Sequence, residues 1–280
     1  MNRRDFLHTL AATTAGTALV GWSGAASSVV TAAIRGVQLG VQSYSFRDLE
    51  LAAAVDAMAT LGIETCELWA GHVQRPNKEP ATAEDFQQAK ALFDKAGVAI
   101  HAFNGQFSPD ATDEELARTF EFARALGVTL VTTSTKVSLA RRIGPLARKA
   151  DMVVAYHNHS RIGNDETATP DDFARAQELG GDAIKINLDI GHFVAANFDP
   201  VAFLEEHHAD VLALHIKDRR RDQGDNVPFG EGDTPITEVL QLVREGGWPI
   251  QANIEYEYKG TDTVAEVRRC LDYCRKALES

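Results

Sequence analysis

From Gln38 onward the chain repeats one pattern. A short apolar run, rich in β-branched and aromatic residues, is followed by a longer stretch whose apolar positions recur every three or four residues. The short runs predict strands over Gln38–Phe46, Ile63–Ala70, Val98–Asn104, Thr129–Thr135, Met152–His159, Ile184–Ile190, Val211–Lys217 and Pro249–Glu257. The longer stretches predict helices over Leu49–Leu61, Thr82–Ala96, Thr112–Leu126, Ser138–Ala150, Pro170–Leu179, Pro200–His207, Pro235–Glu245 and Thr263–Leu278. Gly62, Gly97 and Gly127 follow the first three helices and stop them. Thr82-Ala-Glu-Asp85 places a capping hydroxyl before the second helix and acids in its first turn.

Strand, helix, strand, repeated eight times, predicts an α/β chain with a parallel sheet. Eight units in roughly 250 residues close most naturally into one (β/α)8 TIM barrel domain. The alternative is an open, doubly wound sheet, but no Gly-x-Gly-x-x-Gly follows the first strand. The longest irregular stretch is Arg219–Asp233, after the seventh strand, and its length suits a lid or binding loop.

The start of the chain breaks the pattern. Arg3-Arg4-Asp5-Phe6-Leu7 precedes an uncharged run, Thr9–Ala33, rich in Ala, Thr and Gly. This resembles a twin-arginine export signal, with His8 where Lys is commoner and Asn2 where Ser or Thr is. Residues 1–33 are therefore read as a signal peptide and 34–280 as the barrel, predicting a periplasmic or secreted protein. The uncharged run is too weakly apolar for a membrane span, and no later segment offers ~20 continuous apolar residues. The net charge of −12, from 28 basic and 40 acidic residues, would repel a phosphate backbone and argues against nucleic acid as a partner. Three cysteines, Cys66, Cys270 and Cys274, form no disulfide framework and read as small buried hydrophobes.

In a barrel of this kind the working residues sit at the C-terminal strand ends, and polar residues gather there. Strand two carries Glu67, with Trp69 and His72 just beyond. Strand five ends Tyr156-His157-Asn158-His159, strand six Asp189-Ile190-Gly191-His192, strand seven His215-Ile216-Lys217-Asp218, and strand eight Glu255-Tyr256-Glu257. Side chains alternate faces along a strand. Leu214, Ile216 and Ile254 suit the helix side, which leaves His215, Lys217, Glu255 and Glu257 pointing inward. Charges left uncompensated there are costly, and a shared divalent cation would remove the cost. Imidazoles and carboxylates at one end of four successive strands are the donor set such an ion needs. His101 lines or caps the pocket, while His207 and His208 sit late in a helix, where solvation and the helix dipole account for them.

Asn187-Leu-Asp-Ile-Gly-His192, Leu214-His-Ile-Lys-Asp218, Gly230-Glu-Gly232 and Ile254-Glu-Tyr-Glu257, with Val41-Gln-Ser-Tyr-Ser-Phe46 and Tyr156-His-Asn-His159, resemble the xylose isomerase-like barrel family, the sugar phosphate isomerase/epimerase group. The resemblance covers almost the whole chain from Gln38. It implies a metal site built from Glu, Asp, His and Glu on strands five to eight. Asp189, His215 and Glu255 match the last three positions, and His157 stands where the family has its acidic ligand and base. A His-rich strand five and a two-acid strand eight resemble the inosose dehydratase branch, and put a two-carboxylate epimerisation in doubt. The endonuclease branch uses a richer His/Glu cluster for several zinc ions; the acidic charge and export signal here oppose it.

Together these features predict a divalent ion (Mn, Mg, Co or Zn) held by His157, Asp189, His215 and Glu255. Glu255, or Glu257 beside it, is the expected base, with His157 and Lys217 as further catalytic candidates. His159, His192, Glu67 and Glu231 are expected to bind substrate, a small sugar or keto-sugar. The expected activity is a sugar isomerase or epimerase that removes a proton next to a carbonyl through an enediolate. The alternatives are a lyase or dehydratase acting on a keto-sugar, 3-keto-glycoside or inosose-like substrate, and a non-catalytic sugar-binding barrel.

Overall fold

The computed structural model of the chain describes residues 34–74 and 80–280; the segment read as an export signal, 1–33, lies outside them. Eight strands form a closed barrel in chain order. They are β1 (Gln38–Gln42), β2 (Thr65–Trp69), β3 (Ala99–Asn104), β4 (Leu130–Thr133), β5 (Val153–His157), β6 (Ile184–Asp189), β7 (Val211–Ile216) and β8 (Gln251–Ile254). Each pairs in parallel with its neighbours. β8 closes on β1 with Gln38 opposite Gln251 and Val41 opposite Ile254.

The helices are α1 (Leu51–Thr60), α2 (Ala83–Ala96), α3 (Asp113–Leu126), α4 (Ala140–Ala150), α5 (Pro170–Gly180), α6 (Ile190–Ala195), α7 (Pro200–His207), α8 (Ile236–Gly246) and α9 (Thr263–Glu279). Three begin with reciprocal caps. Thr82, Thr112 and Thr169 accept the amides of Asp85, Glu115 and Asp172, whose carboxylates reach back to the threonine amides. α4 and α5 approach closely, because Gly144 and Gly180 bring their backbones together. A Cβ on Gly144 would fall 2.0 Å from the Gly180 carbonyl oxygen. No helix among the described residues is long and apolar enough to cross a membrane.

Several strands are shorter than the hydrophobic pattern predicts, and side chains explain where two of them stop. After β1, Ser43–Phe46 turns into a 3-10 coil, because the Gln42 side chain accepts the Tyr44 amide at 2.7 Å. β8 stops at Ile254. The Ser45 hydroxyl donates to the Ile254 carbonyl and accepts the Tyr256 amide at 2.9 Å, taking the place of a strand partner. α6 is an element the pattern did not predict. Asp189 creates it by accepting the His192 amide at 2.7 Å through Oδ1. The stretch Arg219–Asp233 folds over Asp218, whose buried carboxylate accepts the amides of Gly230, Gly232 and Thr234.

Apolar side chains on the outer strand face, among them Val41, Cys66, Leu68, Val131, Leu214 and Ile254, pack in the core under the helices. The three cysteines are free and buried. The barrel interior is polar in its upper half. Gln42, Glu67, Thr132, Asn187, His215 and Asn253 are all buried there and bonded to one another across the barrel.

Candidate active site and metal centre

His157 ends β5, Asp189 ends β6, His215 lies one residue from the end of β7, and Glu255 immediately follows β8. One ligand atom from each lies within 4.8 Å of the other three, and all four residues are buried. Each is held by neighbours that leave an atom facing the cluster. His157 Nδ1 is 2.8 Å from the Ser134 hydroxyl, while its Nε2 faces Asp189 Oδ2 at 3.4 Å. Asp189 uses Oδ1 as the α6 cap and keeps Oδ2 for the cluster. Asn158 fixes the Asp189 backbone from both sides, accepting its amide and donating to its carbonyl.

His215 Nε2 stands 3.0 Å from Glu67 Oε1, and its Nδ1 is 3.1 Å from Glu255 Oε2. His215 Nδ1 and Glu255 Oε2 are both buried, and beyond their approach to each other and the ion pair of Oε2 with Lys217 neither has a hydrogen-bond partner among the described residues. Two buried acceptors converging on one point suit a cation. The residues present therefore fit a divalent ion, with two imidazoles and two carboxylates as donors.

Lys217 provides a buried positive charge beside the same acids. Its ammonium lies 3.0 Å from Asp189 Oδ2, 2.8 Å from Glu255 Oε2 and 2.7 Å from Glu257 Oε2. Burial opposes its charge, yet Asp189, Glu255 and Glu257 outweigh that and push its pKa above the usual lysine range. Burial likewise opposes the charge on Glu255, but Lys217 and then His215 hold its carboxyl far below the usual range. Asp189 is depressed in the same sense, by Lys217 first and then His192. Glu257 is more open, with 23% of its side chain exposed, and among the described residues Lys217 is the one cation it pairs with.

Above this cluster opens a cavity of about 460 Å³, within the range of small-ligand sites. His157, His159, His215, Glu255 and Glu257 line it, with Gln42, Asn104 and Ser134. Tyr44 and Trp69 form an aromatic wall, their rings edge to face at 4.9 Å. Among these, Gln42, Tyr44, Asn104 and Ser134 escaped the reading of single strand ends, because their types carry no chemical signature by themselves.

The structure brings His157, Asp189, His215, Lys217, Glu255 and Glu257 together and sets His159 at the cavity rim. Burial around the His159 ring, and then the positive neighbours His157 and Lys217, lower its pKa. The residue is nonetheless open to solvent, so the lowering is smaller than for a fully enclosed ring. Three residues expected to bind substrate fall elsewhere. Glu67 lies beneath the cavity, completely buried, with both oxygens engaged by protein donors. Glu231 is exposed in the loop around Asp218 and does not line the cavity. His192 packs behind His159, and both its ring nitrogens already face protein: Nδ1 receives Arg219 at 2.6 Å and Nε2 lies 3.1 Å from Lys217.

Comparisons with known proteins agree with this architecture. Residues 55–277 match the family described as "Xylose isomerase-like TIM barrel". A curated relative, an inosose dehydratase from Clostridium tetani, is 25% identical over 155 residues, covering 45% of this chain and 51% of its own length. The chain thus spans about half the length of that relative. Among solved structures, a sugar phosphate isomerase/epimerase from Parabacteroides distasonis superposes with a TM-score of 0.67 at 19% identity, over 89% of this chain and 98% of that one. A 3-keto-D-glucoside 4-epimerase from E. coli gives 0.67 at 14% identity, over 86% and 99%. At these identities the solved structures establish a shared fold. With most of its length matched to the family and eight parallel strands closing in the same barrel, the chain belongs to the xylose isomerase-like TIM barrel family.

Proposed function

We propose that this chain is a metal-dependent enzyme that removes a proton next to the carbonyl of a sugar or keto-sugar, and that its basic reaction is isomerisation. The observation that carries this is the convergence of His157, Asp189, His215 and Glu255 within 4.8 Å, at the floor of a cavity that Glu257 also reaches. A divalent ion held by those four residues would supply Lewis-acid stabilisation for the charge that develops on a carbonyl oxygen.

The chain's own residues account for the rest. Glu255 and Asp189 are fully ionised at neutral pH and buried against cations, so they suit holding charge better than moving protons. Of the two acids that line the cavity, Glu257 is the more exposed and has one cationic neighbour among the described residues. The proposed base therefore moves from Glu255 to Glu257. Lys217, fixed between the carboxylates, orients both acids. Trp69 and Tyr44 offer aromatic faces for the apolar side of a sugar ring, and Asn104, Gln42 and Ser134 offer hydroxyl partners.

A second outcome of the same proton abstraction is elimination. It is favoured by the wall formed by His157 and His159, which brings no carboxylate to the cavity. Epimerisation by two carboxylates on opposite faces of a sugar lacks its second acid here, whereas a single base serves both isomerisation and elimination. The inosose dehydratase similarity points the same way. Incubating the metal-loaded protein with a panel of keto-sugars, keto-glycosides and inososes, and reading product masses, separates the outcomes. An isomer of unchanged mass supports isomerisation, and loss of water or an aglycone supports elimination. Tight binding of panel members with no change in any of them would contradict an enzyme and leave a sugar-binding barrel.

A further inference from the structure

Resting on the metal-dependent reading above, we propose that Glu67 is a positioning residue: from inside the barrel it locks His215 in the tautomer that carries its proton on Nε2 and leaves Nδ1 free for the ion. Glu67 sits on β2, almost across the barrel from β7, and none of its surface is exposed. Its Oε1 lies 3.0 Å from His215 Nε2. A carboxylate in that position accepts a proton from the ring nitrogen it faces, so the other nitrogen keeps its lone pair.

Two further observations support this assignment. First, the carboxylate cannot turn away. Oε1 also receives Thr132 Oγ1 at 2.7 Å from β4 and Gln42 Nε2 at 3.2 Å from β1, and Oε2 receives Asn253 Nδ2 at 3.1 Å from β8. Donors from three further strands thus fix the group that fixes the ligand. Second, Nδ1 points toward Glu255 and, beyond that approach, has no hydrogen-bond partner among the described residues. The Asn187 amide nitrogen also lies 3.1 Å from Nε2, but Glu67, which can only accept, is the partner that places the proton there.

A carboxylate behind a metal-binding imidazole raises its basicity and fixes its orientation, and removing one weakens metal binding roughly 10- to 100-fold. Glu67→Gln keeps the size of the side chain and removes the charge. The test uses Zn2+ alone as probe. Calorimetry measures its Kd on the folded full chain, with thermal unfolding of the metal-free protein followed separately. Nitrogen-15 NMR of the zinc-loaded wild type reads the His215 tautomer, with His215→Gln assigning the signal. The expected results are an Nε2–H tautomer in the wild type and a Kd at least tenfold weaker in Glu67→Gln. A Kd within twofold of wild type, or a proton on Nδ1, would overturn the positioning role while leaving the metal site standing. If His215→Gln leaves zinc binding unchanged, both the positioning role and the metal site fall. If Glu67→Gln fails to fold, the wild-type tautomer alone decides between the two results.

Discussion

Glu255 and Glu257 are two residues apart and both touch Lys217, but their surroundings differ. Glu255 is enclosed by Lys217 and His215, and Glu257 opens on the cavity. Glu257→Gln is expected to lower turnover at least ~100-fold with zinc affinity little changed, the scale of losing a general base. Glu255→Gln is expected to weaken metal binding first, and part of its activity should return at saturating metal. Steady-state kinetics at several metal concentrations, paired with calorimetry, check this. Full activity in Glu257→Gln would move the base elsewhere, His157 being next. A pH dependence follows from His215. Burial opposes its protonation, yet Glu67 and Glu255 raise its pKa well above the usual histidine range in the metal-free fold. A raised folded pKa gives stability that is present below the unfolded value of about 6.5 and is lost as pH rises through the folded value. Metal at Nδ1 must displace that proton, so zinc should bind more tightly as pH rises, by up to about tenfold per pH unit. Calorimetry in buffers of different ionisation enthalpy should count about one proton released per ion; a pH-independent Kd with no release would contradict it. Asp189, His215 and Glu255 were legible in the sequence because each ends or follows a strand and matches a family position. The task of Glu67 was not, since alternation gives the face of a strand and says nothing of depth along the barrel. Arg219 was also missed, because its contact with His192 depends on how a long loop folds back.

At the level of elements, the period of the apolar pattern located eight strands and eight of the nine α-helices among the described residues, usually within a few residues. The differences lie where side chains compete with the backbone. Ser45 ends β8, Gln42 turns the chain after β1, and Asp189 starts α6. Such substitutions of side chain for backbone partner leave no trace in hydrophobic period. The α4–α5 contact gives the sharpest test of packing. Ala in place of Gly144 would set a methyl group 2.0 Å from the Gly180 carbonyl oxygen, and neither backbone can move without disturbing its helix. Gly144→Ala is expected to destabilise the fold by about 1–3 kcal/mol. Denaturant unfolding should show a lower midpoint while zinc affinity in the folded protein stays the same. A midpoint equal to wild type would mean that the two helices pack less closely than described.

At the level of the whole molecule, the barrel arranges side chains from β5, β6, β7 and β8 around one point and closes a polar network beneath it. This was legible as a fold from eight repeats. The substrate was not, because the cavity wall comes from loops and strand ends whose shape emerges only when the barrel closes. Export is a separate proposal, carried by Arg3-Arg4 and the uncharged run behind them. Replacing both arginines with lysine should retain the chain in the cytoplasm, and fractionation that finds it unchanged in the periplasm would reject the twin-arginine route. The central claim is proton abstraction that depends on the bound ion, and solvent deuterium exchange measures it most directly. Wild-type protein, stripped of metal and then reloaded with Mn2+ or Zn2+, is incubated in D2O with the keto-sugar panel, and deuterium is followed by mass and NMR. The account predicts label next to the carbonyl of at least one substrate with the loaded protein, little with the stripped protein, and at least ~100-fold less with loaded Glu257→Gln. Equal labelling with and without metal, or no labelling of any substrate that the loaded protein demonstrably binds, would contradict it.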